Sequence, residues 1–379
     1  MSQSRIKGLN TQEQRITLEE HNMYKEIAIE GLRGISHLEI EDFRQVNLFI
    51  GENNCGKTTI LEALFLLIGA ANAELPLRIN AYRDFANKGM VKISENFWRL
   101  FFNNLDIDSH IKISGKLEKP EEERSLIIKP DIKSTISVKP SSRISDIVES
   151  YSELSPIDSL ILEYSLKGKN GKQKKITTKV IAGSSGADIE RPAEYQEHRM
   201  GVFLNQKTIG LISERFSNVQ IKKRTDGVIK VLQQIEPSLR DLSLGADDIV
   251  CCDIGLDRLV PINIMGDGMF RLLSIILAVS DTQNGIVLID EIENGFFYTS
   301  QKLLWKALFE SAREFNVQIF ATTHSVECIK AFSSTYSQIE QGNDAMRLYR
   351  IERKGDNFKA VTYDHKTLET SLESGWEVR

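Results

Sequence analysis

The chain has 379 residues, enough for one large or two ordinary domains, which excludes a miniprotein held only by disulfides. Hydrophobic residues make up 41% and charged residues 27%, ordinary globular usage that excludes a chain disordered throughout. Lys and Arg number 48 against 53 Asp and Glu, a formal charge of −5. No global positive field draws polyanions, so any nucleic-acid contact has to come from a local patch.

Residues 1–23 are polar and mixed in charge and lack the apolar core of a signal peptide, so they read as a flexible tail. From Tyr24 the runs KEIAIEGL, HLEIEDF and QVNLFIG, punctuated by Gly31 and Gly34, predict strands. Thr58 to Ala71 predicts a helix, with Leu61, Leu64, Phe65 and Ile68 at three-to-four-residue spacing. Across 117–245 the pattern loosens: Pro120, Pro130 and Pro140 interrupt charged segments. This stretch reads as an inserted subdomain, a β-hairpin turning at Asn170-Gly171 followed by a helical pair divided near Thr225 to Gly227. From 246 to 379 regularity returns. GIVLID predicts a buried strand, Ser300 to Glu314 a helix, VQIFATTHS a second strand and turn, Val326 to Phe332 a short helix, and the tail a closing hairpin through Gly355.

The apolar runs Ile60 to Ala71 and Leu272 to Val279 fall short of the ~20 residues of a membrane-spanning helix, and the first contains Glu62. No membrane partner is expected. Cys55, Cys251, Cys252 and Cys328 form no CxxC pair, so neither a zinc ribbon nor a disulfide frame is indicated and a reducing cytoplasm fits best.

Gly51-Glu52-Asn53-Asn54-Cys55-Gly56-Lys57-Thr58 fits GxxxxGK[ST] between a predicted strand and a predicted helix. In that setting, backbone N–H groups, the Lys57 ammonium and a Mg²⁺ held by Thr58 compensate phosphate charge, which points to a nucleoside triphosphate. Asp290 and Glu291 end the apolar strand IVLI, the edge at which an α/β sheet presents ligand groups. Asp290 suits Mg²⁺ and Glu291 a water facing the γ-phosphate; a solvated acidic strand cap is the plainer alternative. His324, at the end of the next strand, would reach the same edge and sense the γ-phosphate. Gly266-Asp267-Gly268 opens a further predicted helix, Phe270 to Ser280, and leaves N–H groups open to an anion, although a simple turn explains the glycines equally well.

Together these segments resemble the ABC-type ATPases of the SMC and RecF group, and more closely the OLD-like and AAA-type ATP-binding proteins of bacterial anti-phage systems. GENNCGKTT, Gly51 to Thr59, is similar to their Walker A, LIDEIENG to Walker B, ATTHS to the switch histidine and MGDGMFRLL to the signature. The resemblance implies an α/β fold, an ABC-type P-loop NTPase head with a mixed sheet, its lobes spanning 24–116 and 246–379. It implies ATP and Mg²⁺ as ligands, with Lys57 on the β- and γ-phosphates, Thr58 and Asp290 on Mg²⁺, Glu291 on the attacking water and His324 on the γ-phosphate. Gly266 to Gly268 would face the nucleotide of another copy, so hydrolysis requires at least a homodimer. Cys55 stands where the family often has serine. A glutamine loop is not identifiable, and Arg83 to Asn104 holds only candidates. The residues after Ser325 lack a Glu followed by Asp-x-Asp, so no TOPRIM nuclease is expected in them. The resemblance therefore implies a separately encoded effector, a nuclease or toxin, held or released according to nucleotide state. Two alternatives stand beside it: a RecF-like DNA-repair clamp using Lys167, Lys169, Lys172, Lys174 and Lys175 on phosphates, and an ATP-binding scaffold that does not hydrolyse.

Overall fold

Two β-sheets enclose one helix in this computed structural model, which describes residues 23–69, 71–83, 97–118, 121–131, 159–183, 186–190, 200–339 and 343–375. The expected tail, Met23 apart, lies outside the described residues, as do Pro120 and Pro140. The first sheet is antiparallel. β1 (Tyr24–Leu32) turns through Arg33 and Gly34 into β2 (Ile35–Ile40), and β4 (Ile111–Leu117) pairs with the other side of β1. Beyond β4 follow β5 (Glu122–Pro130), β6 (Ser159–Gly168), β7 (Gln173–Gly183) and β8 (Gly186–Glu190). The β6–β7 hairpin turns where Asn-Gly places it: Gly171 has φ 73°, and Asn170 Oδ1 accepts from the Lys172 amide at 3.2 Å.

The second sheet holds the expected parallel strands. β3 (Val46–Ile50) lies between β14 (Gln318–Thr322) and β15 (Met346–Lys354), β13 (Ile286–Ile289) follows β14, and β9 (Gly201–Leu204) pairs with the far side of β13. β16 (Asn357–Tyr363) adds an antiparallel edge as the closing hairpin. β3 is buried on both faces. Val46, Leu48 and Ile50 point into one core and Phe49 into the other, where it stacks with Phe320 at 6.2 Å.

The helix between the sheets is α1 (Lys57–Ile68). Every residue in it except Thr58 is buried, the mark of a helix covered all round. It ends at Ile68, where the Gly69 amide reaches Phe65 O at 3.3 Å. Near it lies α2 (Leu75–Tyr82). The opposite face of the second sheet is covered by α5 (Asp267–Asp281), α6 (Gln301–Glu314) and α7 (Val326–Ile339, longer than the expected 326–332). α3 (Ile212–Ile221) and α4 (Thr225–Leu232) pack on α5, α8 (His365–Glu373) closes the chain, and β10 (Asp241–Leu244), β11 (Val250–Asp253) and β12 (Val260–Pro261) make a small third sheet.

The segment expected as an insertion contributes to these same layers. β5 to β8 extend the first sheet, β9 lies in the second, and the 116/117 boundary cuts β4. β5 carries a plain strand alternation, with Arg124, Leu126 and Ile128 buried. Its charges and Pro130 obscure that pattern in the sequence.

Candidate functional site

β3 delivers the chain into a loop that glycine alone can form. At Gly51, φ is 140° and an added β-carbon would lie 2.4 Å from the Ile351 carbonyl oxygen and 2.9 Å from Cys55 Sγ. Asn54 at φ 63° and Gly56 at φ 95° curl the rest of the loop, a backbone form that makes anion-binding concavities. Lys57 Nζ lies within the curl, donating to the carbonyls of Gly51 and Glu52, each at 2.8 Å. Burial lowers its pKa, and the nearby Cys55, Asp290 and Glu293 oppose that shift. The Cys55 thiol is buried beneath the loop, and burial pushes its pKa up.

The parallel strands bring the acidic pair to the same end. Thr58 Oγ1 lies 3.0 and 3.1 Å from the two carboxylate oxygens of Asp290, and Thr322 Oγ1 donates to Asp290 Oδ1 at 2.7 Å. Burial raises the Asp290 pKa, while the Thr322 and Thr58 bonds pull it down. Glu291 adopts a left-handed φ of 49°. Its amide donates to Thr322 Oγ1 at 2.8 Å, and its carbonyl accepts from Arg271 Nη2 at 2.8 Å. Its carboxylate is held by Asn294 Nδ2 at 2.6 Å and Gln206 Nε2 at 3.4 Å. His324 is exposed, its amide tied to Glu293 Oε1 at 2.7 Å. A cavity of about 600 Å³ is lined by Asn53, Asn54, Gly56, Lys57, Thr58 and Thr59 together with Glu291 and His324.

Gly266, Asp267 and Gly268 are elsewhere. They begin α5, with Gly266 at φ 97° and an added β-carbon at Gly268 meeting the Gly295 carbonyl at 3.4 Å; they do not line the cavity over the loop. The lysine cluster is partly neutralised on its own sheet, Lys167 by Glu123 and Lys169 by Glu121, both at 3.1 Å.

Sequence reasoning missed several residues here. Gln206 follows β9, outside the span Arg83 to Asn104, and the four-residue run GVFL before it is its only local signal. Glu62, buried in α1, joins Arg33 at 2.7 Å and Arg83 at 2.7 and 3.1 Å, and Arg33 also donates to Asn80 Oδ1 at 3.0 Å. Arg33 and Arg83 both line the cavity.

The profile of the family described as "AAA domain, putative AbiEii toxin, Type IV TA system" matches residues 46–329, spanning the loop, the acidic pair and His324. The chain belongs to this family of AAA-domain ATPases. As an AAA-domain ATPase, it has an α/β architecture, with a mixed sheet and an antiparallel sheet around the loop helix. It is 22% identical over 380 residues to a Helicobacter pylori protein named ATP/GTP phosphatase, the alignment covering 93% of this chain and 98% of the other. Among solved structures, an SMC head bound to the C-terminal winged-helix domain of ScpA is similar with a TM-score of 0.47 and 12% identity, covering 92% of this chain and 99% of that one. The SMC head domain from Thermotoga maritima gives 0.44 and 11%, covering 90% and 98%. Among the described residues, no helix is long and apolar enough to cross a membrane.

Proposed function

We propose that the AAA-domain ATPase binds ATP with Mg²⁺ on Gly51 to Thr59 and hydrolyses it in a homo-oligomer, using the nucleotide state to hold or release a separately encoded nuclease or toxin in anti-phage defence. The observation that carries the chemistry is the hydrogen-bonded run Thr58–Asp290–Thr322–Glu291 beneath the loop. The hydroxyl of Thr58 and the carboxylate of Asp290 are hard oxygen donors at one point, the set Mg²⁺ takes when phosphate oxygens and water complete its shell. Among the described residues no group of three or more His, Cys, Asp or Glu could hold a metal alone. When bound, Mg²⁺ neutralises charge on the β- and γ-phosphates.

The chain's own residues supply the remainder. Lys57 exchanges the loop carbonyls for the β- and γ-phosphates. Glu291, oriented by Asn294 and Gln206, accepts the proton of a water aimed at the γ-phosphate, and His324 contacts that phosphate from the cavity wall. The naming of the H. pylori relative as an ATP/GTP phosphatase supports hydrolysis. An oligomer is supported by the placement of Gly266 to Gly268 away from their own loop. Exposed apolar side chains point the same way: Ile264, two residues before Gly266, at 73%, and Phe297 and Tyr298, just after the Gly295 whose carbonyl faces Gly268, at 68% and 61% exposure.

Phosphate release and sedimentation test the reading together. Lys57→Ala is expected to lose ATP binding, and Glu291→Gln to bind ATP, slow release by about 10²–10⁴-fold and accumulate as the ATP-bound oligomer. Undiminished release in both variants rejects the site. Tight binding without any release by the wild type identifies a scaffold instead.

A further inference from the structure

The cavity over the loop is lined by more than the groups that the phosphate chemistry uses. Beside Lys57, Thr58, Glu291 and His324, its lining includes Gly34, Arg353 and Phe358, which lie outside the loop and the acidic pair. Its volume of about 600 Å³ suits a complete nucleotide rather than a triphosphate alone. Arg353 belongs to the β15–β16 hairpin, whose turn is fastened to β2 by a bond from Ser36 Oγ to the Asp356 carbonyl. Its guanidinium is fixed by two carbonyls, Nε to Gly355 O at 3.0 Å and Nη1 to Asn54 O at 3.3 Å. It lies over the Phe358 ring, 5.2 Å from the centroid. Phe358 in turn abuts the loop, 3.6 Å from where a β-carbon on Gly56 would stand. At Gly34 a β-carbon would lie 3.7 Å from Arg353 Nη1, so the bare glycine leaves that flank of the guanidinium uncovered.

We propose that Arg353, backed by Phe358, forms the shelf on which the nucleobase of the bound triphosphate rests, and that this shelf accepts adenine and guanine alike. The inference rests on the reading of Gly51 to Thr59 as the triphosphate loop. A planar guanidinium held over an aromatic ring offers a flat face to a purine, and stacking reads the face of a base, not its hydrogen-bonding edge.

Calorimetric titration of the full chain with ATP, GTP and inorganic tripolyphosphate tests the shelf. Arg353→Ala is expected to lose about tenfold in affinity for both nucleotides and none for tripolyphosphate, whose retained binding also shows that the variant is folded. Arg353→Lys, which keeps the charge and discards the plane, should lose as much as the alanine. Wild-type affinity for ATP in Arg353→Ala overturns the proposal. So does a parallel loss for tripolyphosphate, recovery in Arg353→Lys, or a loss confined to one base. A wild-type chain that binds none of the three probes overturns the triphosphate loop itself and the shelf with it.

Discussion

At the level of single residues, Thr322 concentrates more of the site than its side chain suggests. One hydroxyl donates to Asp290 and accepts from the Glu291 amide, fixing a non-glycine residue in a left-handed conformation that is costly without such support. Thr322→Val keeps the shape and removes the hydroxyl. It is expected to leave ATP affinity nearly unchanged while lowering the rate of phosphate release about tenfold or more; an unaltered rate in a single-turnover assay counts against this positioning role. Gly51 to Thr58 are legible in the sequence because the motif is local and its glycines answer a backbone need at their own positions. Glu62 and Gln206 are not, since their partners lie 21, 29 and 85 residues away along the chain and no spacing rule links them.

Among the elements, α1 is the part on which loop, strands and both sheets converge. Leu61 and Leu64 are fully buried, so Leu64→Ala removes packing with no route to solvent. It is expected to cost about 2–5 kcal/mol, read as a lowered urea midpoint, and to loosen the loop at the helix start. An unchanged midpoint would show that the neighbouring sheets collapse onto the gap. Strands with two buried faces, β3, β13 and β14, stand out in the sequence as short, largely apolar runs, VNLFI, IVLI and QIFAT. β5 and β9 do not: β5 hides its alternation behind charges, and β9 is only four residues long. That β9 belongs beside β13 is decided by pairing across the sheet, Val287 with Val202 and Leu288 with Phe203, which no local pattern records.

For the molecule as a whole, the second sheet divides two cores, one holding α1 and the antiparallel sheet, the other the outer helices. Arg271 lies on the outer helix α5, a turn after Gly266 to Gly268, and reaches through to the Glu291 carbonyl at the sheet edge. In the proposed pair, this bond ties the start of α5, offered to a neighbouring copy, to the backbone of Glu291, the residue proposed to take the proton of the attacking water. Turnover is then expected to rise more steeply than linearly with ATP, with a Hill coefficient above 1 that Arg271→Ala returns to 1; hyperbolic kinetics in a confirmed oligomer would refute the coupling. If the proposed pair is coupled in this way, a half-occupied assembly is a poor consumer of fuel, and commitment waits until both halves are loaded.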